Sequence, residues 1–210
     1  MAIEKVYDLV SRGKAKLVGA AVQEALDAGF APADVLGKMI EAMDVVGEKF
    51  KTGEIFVPEM LIAAKAMKKG VEVLKPLLAA GAAGALGKVV IGTVAGDLHD
   101  IGKNLVAMMI ESAGFEVIDL GVDAPAEKFV EAVKENPDCK VVGVSALLTT
   151  TMEAMRVTVK ALIDAGLKDQ VKIMVGGAPI TEAFAKEIGA DVYTEDAASA
   201  GQAAKALAGK

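Results

Sequence analysis

Residues 88–102 read KVVIGTVAGDLHDIG. The first half, Lys88 to Ala95, is a short apolar run rich in β-branched residues, too short for a buried helix and right for a buried strand. From Ile101 to Ala113 the spacing becomes helical. The residues between form a loop that leaves a strand and enters a helix. It carries His99, the only histidine among 210 residues. In open α/β folds such loops hold ligands.

The alternation continues downstream. Strands are expected at 89–94, 116–120, 141–145, 172–175 and 191–193. Helices are expected at 101–113, 126–135, 150–165, 180–188 and 197–207. Strands alternating with helices imply βαβ units and a parallel sheet. The first four strands are nearly continuous apolar runs, as expected when both sheet faces are covered. The expected fold class is α/β, with a flavodoxin- or Rossmann-like doubly wound five-stranded parallel sheet over residues 87–210. Its site would lie at the carboxyl ends of the strands.

Upstream, residues 1–86 read as a four-helix bundle. Val18, Ala21, Val22 and Ala25 recur at helical spacing, and Gly29 closes that helix. Pro32 opens the next helix at a position where its missing N–H costs nothing. That helix places Leu36, Met39, Ile40 and Met43 on one face. A last helix from Val57 to about Leu78 would turn Leu61, Ala64, Met67, Val71 and Leu74 inward. The uncharged Ala79–Gly87 stretch reads as a linker and a natural hinge.

Composition bounds the function. The chain is 53% hydrophobic and 4% aromatic, so aliphatic residues and methionine must build its core. A net charge of −6 argues against nucleic acid as a partner. The single Cys139 cannot form an internal disulfide and fits a reducing, cytoplasmic setting. No apolar stretch reaches the roughly 18 residues needed to span a membrane, and no signal-peptide pattern opens the chain.

Three polar signals fall at strand ends: Asp97-x-His99-x-x-Gly102, then Ser145-x-Leu147-x-Thr149, then Gly176-Gly177. An imidazole that binds a metal through one nitrogen needs its other N–H paired, and Asp97 can accept it. The Ser145 hydroxyl could bond the same carboxylate, giving a His99–Asp97–Ser145 chain able to pass a proton. Gly102 removes a Cβ where a ligand would approach, and Gly176-Gly177 offers bare backbone. Each residue also has a plainer reading. A lone histidine at a helix start can be a capping or surface residue, and Asp97 can cap the helix. Ser145 and Thr149 can cap the 150–165 helix, and Gly-Gly can be a turn.

The segment from Gly96 to Asn104, GDLHDIGKN, followed by Ser-x-Leu and then Gly-Gly, resembles the cobalamin-binding signature of methionine synthase and its relatives. Phe50 to Glu59, FKTGEIFVPE, resembles the part of their helical cap that covers the cofactor. A cap plus cobalamin domain of this length resembles the corrinoid proteins of anaerobic methyltransferase systems. The resemblance implies a cobalamin or related cobamide, with His99 as lower axial ligand to cobalt and Asp97 and Ser145 completing a ligand triad. It implies that Gly96, Leu98, Asp100 and Ile101 bind the cofactor together with His99. Gly102, Leu147, Thr149, Gly176 and Gly177 would line the slot for the nucleotide tail, bordered by Tyr193 and Asp196. Phe50 and Val57 would sit over the upper face. Val57 replaces the leucine of methionine synthase, which leaves less apolar bulk there.

The implied function is methyl carriage. Co(I) accepts a methyl group from a substrate-specific methyltransferase, and methyl-Co(III) passes it to a second methyltransferase using tetrahydrofolate or a thiol. A reductive activation protein is the implied third partner. The rivals are an adenosylcobalamin-binding mutase subunit or B12-dependent regulator, and a flavodoxin- or receiver-type module. Strand three ends in Ser145-Ala146-Leu147 rather than a receiver's acidic cluster.

Overall fold

The computed structural model describes residues 2–78 and 86–209. The expected linker falls for the most part outside them. The chain divides into two compact units, Met1–Ala85 with Glu111–Gly114, and Leu86–Ile110 with Phe115–Lys210.

The first unit holds α1 (Ala2–Ser11), α2 (Ala15–Asp27), α3 (Pro32–Lys51) and α4 (Val57–Leu78). Local chemistry sets the ends. Gly29, at φ +89°, follows α2, and the Phe30 and Gly29 amides donate back to the Ala25 and Leu26 carbonyls. Gly53, at φ +75°, ends α3 the same way, with Glu54 and Gly53 donating to Lys49 and Phe50. Both are glycine-dependent Schellman closures. Pro32 opens α3 behind the extended Ala31. At the start of α4 the Glu59 carboxylate accepts the Phe56 N–H at 3.1 Å, half of a capping box.

Val18, Ala21, Val22 and Ala25 of α2 are all buried. On α3 and α4, however, Ile40, Leu61 and Val71 are only half-buried, and Val35, Ala42, Met60, Ala63, Ala66 and Gly70 fill the interior. The cause is close packing at Gly70, where an added Cβ would come 2.3 Å from the Met39 methyl. The helices meet on small residues, which turns α4 away from the face that its larger apolar side chains suggest.

The second unit is a five-stranded parallel sheet in the order β2-β1-β3-β4-β5. The strands are β1 (Lys88–Thr93), β2 (Glu116–Asp119), β3 (Cys139–Ser145), β4 (Lys172–Gly176) and β5 (Val192–Tyr193). The helices are α5 (Ile101–Ser112), α6 (Ala126–Glu135), α7 (Met152–Asp164), α8 (Glu182–Ile188) and α9 (Ala197–Leu207). Val90, Val142, Val144, Ile173 and Val175 join one core with Phe129, Met155, Leu162 and Phe184. Strand alternation sends the buried Val89, Ile91, Val141 and Met174 to the opposite face.

This is the flavodoxin-like order, α/β as expected, with a helical unit ahead of it. The chain leaves β1 for β2 on one side and returns to β3 on the other. The crevice for a ligand therefore lies beyond the carboxyl ends of β1 and β3. Several boundaries shift by one or two residues, and one of these shifts bears on the site. The helix expected at Thr150 begins at Met152, behind a tight 3₁₀ turn over Thr149–Thr151. That turn matters for the site.

Candidate functional site

Asp97 is fully buried in the loop after β1. Its Oδ1 faces His99 Nδ1 at 2.7 Å and accepts the His99 N–H at 3.1 Å. Its Oδ2 accepts the Leu147 N–H at 2.7 Å, the Leu148 N–H at 3.4 Å and the Thr151 hydroxyl at 2.8 Å. Burial works to raise the Asp97 pKa. Against it, the Leu147 amide, the imidazole, the His99 amide and the Thr151 hydroxyl together hold the carboxyl well below the usual range. An ionised carboxylate only accepts hydrogen bonds, so Nδ1 is the donor to Asp97, and a neutral imidazole so held has its lone pair on Nε2. The His99 side chain is half exposed, and the Thr93 hydroxyl anchors its carbonyl at 2.9 Å.

One expectation is corrected here. The hydroxyl on Asp97 is that of Thr151, not Ser145. Ser145 is the last residue of β3, held in the sheet between Thr93 and Gly176. The 3₁₀ turn brings Thr151, six residues on, back over the carboxylate. The chain of groups is therefore His99–Asp97–Thr151.

The surroundings are apolar. Leu98 is 73% exposed, Ile101 78%, Leu147 42% and Leu148 40%. Leu98 and Ile101 flank His99 in the chain, while Leu147 and Leu148 are tied to Asp97 through their own amides. Large aliphatic side chains exposed together mark a binding surface. Gly102, at the second position of α5, has no neighbouring atom within 4 Å of where a Cβ would point. The protein's own packing does not demand glycine there. Thr149 and Asp100 are exposed on the same loops, and Asp100 accepts the Asn104 side-chain amide at 3.1 Å.

The glycines at the end of β4 are used differently from the expected bare platform. At Gly177, φ +132°, a Cβ would fall 1.8 Å from the Ala146 carbonyl oxygen, and at Gly176 it would fall 3.0 Å from the Thr194 carbonyl. These glycines let the ends of β3, β4 and β5 close on one another. Tyr193 packs against the sheet core. Asp196 caps α9, accepting the Ser199 N–H at 2.7 Å. In the helical unit, Phe50 lies in the last turn of α3 and Val57 opens α4. Both are half-buried, and Phe56 between them is 68% exposed.

Sequence reasoning passed over Thr151, Leu148, Thr93 and Asp123. Thr151 was legible only as one of three consecutive threonines before a helix. Leu148 was visible as an apolar residue in a polar loop. Nothing local marks Thr93 or Asp123, whose bonds join separate loops.

A single imidazole nitrogen amid four exposed aliphatic side chains suits a metal that brings its other ligands in a flat, largely apolar ring. The family described as "B12 binding domain" matches residues 87–204, and a second family of the same description matches residues 2–75. The chain is 45% identical to the dimethylamine corrinoid protein 3 of Methanosarcina acetivorans over 206 residues, 98% of this chain and 96% of that one. A cobalamin-binding protein of Desulfitobacterium hafniense DCB-2 superposes with a TM-score of 0.81 at 33% identity, covering 98% of both chains. A chain of the methanol:cobalamin methyltransferase complex MtaBC of Methanosarcina barkeri does so with a TM-score of 0.85 at 31% identity, covering 99% of this chain and 80% of that one. With the helical unit, the sheet and the histidine loop all accounted for, the chain belongs to the B12-binding family of corrinoid proteins, whose cofactor is a cobamide.

Proposed function

We propose that this protein is a methyl carrier, with His99 Nε2 as the axial ligand to the cobalt of its cobamide. When bound, the cobamide supplies the centre that takes up and releases the methyl group. The observation that carries this reading is the buried Asp97, which takes its bonds from His99, Leu147 and Thr151 and leaves Nε2 as the free nitrogen of a half-exposed ring. Asp97 fixes the tautomer and the ring plane, as carboxylates behind metal-bound histidines do. Ionised Asp97 would keep the Nδ1–H paired whether or not a metal is held at Nε2. The exposed Leu98, Ile101, Leu147 and Leu148 would pack against the bound cobamide and exclude water there. Gly102 leaves room for the cofactor's tail, and Gly96, Asp100, Thr149, Gly176, Gly177, Tyr193 and Asp196 belong to the loops that border it.

A substrate-specific methyltransferase is the first proposed partner. Support comes from relatives named as methylamine corrinoid proteins and from the neighbour solved within a methyltransferase complex. A second methyltransferase, using tetrahydrofolate or a thiol, and a reductive activation protein complete the proposed cycle.

The test is anaerobic reconstitution with hydroxocobalamin, reduction to Co(II), and EPR of wild type and His99→Gln, each with histidine-specific ¹⁵N labelling. Coupling to one nitrogen that follows the label and vanishes in the variant is the expected result. Tight binding with the cofactor's own base still on cobalt would defeat the axial role of His99. Recovery of adenosyl rather than methyl groups from the native cofactor would defeat methyl carriage.

A further inference from the structure

The loop after β2 grips the histidine loop at two points on one short stretch of backbone. The Gly96 N–H donates to Asp123 Oδ1 at 2.7 Å, and the Asp123 N–H donates to the Asp97 carbonyl at 3.0 Å. Asp123 thus closes a clip on residues 96 and 97. Its backbone sits at φ +51°, the one positive φ outside glycine among the described residues. Side-chain-bearing residues avoid that region, and aspartate and asparagine tolerate it best. The Asp123 side chain is exposed, so core packing does not explain the conformation.

The neighbouring contacts are of another kind. Thr93 donates to Gly121, Ala124 donates to Thr93, and Val94 bridges Ala124. Those bonds extend the sheet between β1 and the chain leaving β2. The Asp123 bonds reach beyond β1 into residues 95–100, which have no helix or strand of their own. Gly96, at φ +80°, is the pliable point of that stretch. A histidine loop without regular structure must still present one lone pair in one direction, within a few tenths of an ångström.

We infer that Asp123 is a positioning residue for axial ligation. By clipping Gly96 and Asp97 it sets where the Asp97 carboxylate meets His99 Nδ1, and so where Nε2 would stand to hold the cobalt. The inference rests on the cobamide reading above.

Two substitutions separate its parts. Asp123→Asn keeps an acceptor for Gly96 and tolerates the left-handed backbone. Asp123→Gly keeps the backbone freedom and removes the acceptor. Three quantities are measured in each: hydrogen exchange of the Gly96 amide in the cofactor-free protein by NMR, the histidine-ligated fraction in the Co(II) EPR spectrum with ¹⁵N-histidine, and the melting temperature. Asp123→Asn should match wild type in the first two. In Asp123→Gly the Gly96 amide should exchange about tenfold faster, and the ratio of ligated to unligated cobalt should fall about tenfold, the scale of one charge-assisted hydrogen bond. A change in melting temperature alone, with exchange and ligation as in wild type, would make Asp123 a structural residue only and overturn the inference. A wild-type spectrum without histidine coupling would sink the cobamide-ligation reading and this inference with it. A wild-type coupling that Asp123→Gly retains in full overturns this inference alone.

Discussion

Replacing Thr151 by valine tests which hydroxyl serves Asp97. Valine keeps the shape and removes one oxygen. The Thr151 hydroxyl lies 2.8 Å from Asp97 Oδ2 and 2.9 Å from the Leu148 carbonyl, but it has one proton to give. The ionised carboxylate is the stronger acceptor. Hydrogen bonds to charged groups contribute about 1.5–3 kcal/mol, and Asp97 is fully buried, so water cannot replace the lost one. Thr151→Val should therefore lower the stability of the cofactor-free protein by about 1.5–3 kcal/mol in urea unfolding. At about 2–4 °C per kcal/mol for a chain of this length, melting falls by about 3–12 °C. Thr151→Ser, which keeps the donor, should recover most of the loss. Ser145→Ala removes a hydroxyl that makes none of the bonds to Asp97 and should change stability by less than about 1 kcal/mol. The variant also shifts acid stability. A carboxyl held below its unfolded pKa of about 3.9 contributes stability that is present above that value and lost as pH falls through the folded one. Without the Thr151 donor the folded value rises toward the unfolded one, so the acid loss is smaller and is complete at higher pH. A silent Thr151→Val, or a Ser145→Ala as costly as Thr151→Val, would refute the assignment of Thr151.

Three further outcomes are expected. Gly177→Ala should disrupt the junction of β3 and β4, since its Cβ would fall 1.8 Å from a carbonyl oxygen; urea unfolding should show a loss well above that of Gly102→Ala, whose Cβ meets no protein atom. Buried Cys139 should not react with a thiol reagent in the native protein and should react once unfolded. Burial pushes its thiol pKa up, so its share of stability is present below about pH 8.5 and is lost as pH rises through the folded value. Lys103, with a side chain 1% exposed, donates to Asp119 at 2.5 Å, while Asp119 is 40% exposed. Asp119→Ala leaves the buried ammonium with the Asn104 side-chain oxygen at 2.7 Å but without its counter-charge, and should cost about 1.5–3 kcal/mol. Lys103→Met leaves a partly hydrated carboxylate and should cost less; the reverse order in denaturation would show that the pair is not asymmetric.

Much of the architecture was legible in the chain because it depends on local rules. Gly29, Gly53 and Pro32 fix helix ends through backbone conformations that few other residues adopt. β-branched runs such as Val89–Val94 and Val141–Val144 mark strands buried on both faces. The Asp97-x-His99 pair was legible for the same reason, since a carboxylate two residues from an imidazole is within reach whatever the distant fold. The faces of α3 and α4 were less legible. Their packing is set by Gly70 against Met39, a contact between residues 31 positions apart.

The rest of the site depends on distances that no local rule contains. Ser145 and Thr151 carry the same donor six residues apart, and spacing gives no reason to prefer the second. A 3₁₀ turn ahead of α7 brings Thr151 over the carboxylate, while β3 keeps Ser145 in the sheet. Asp123 reaches Gly96 only because β1 and β2 lie side by side, so that the loops leaving them meet. Short-range chemistry places a histidine and an aspartate on one loop. The hydrogen bonds that make them a ligand held in one orientation come from strands distant in sequence, and those meet only when the sheet has formed.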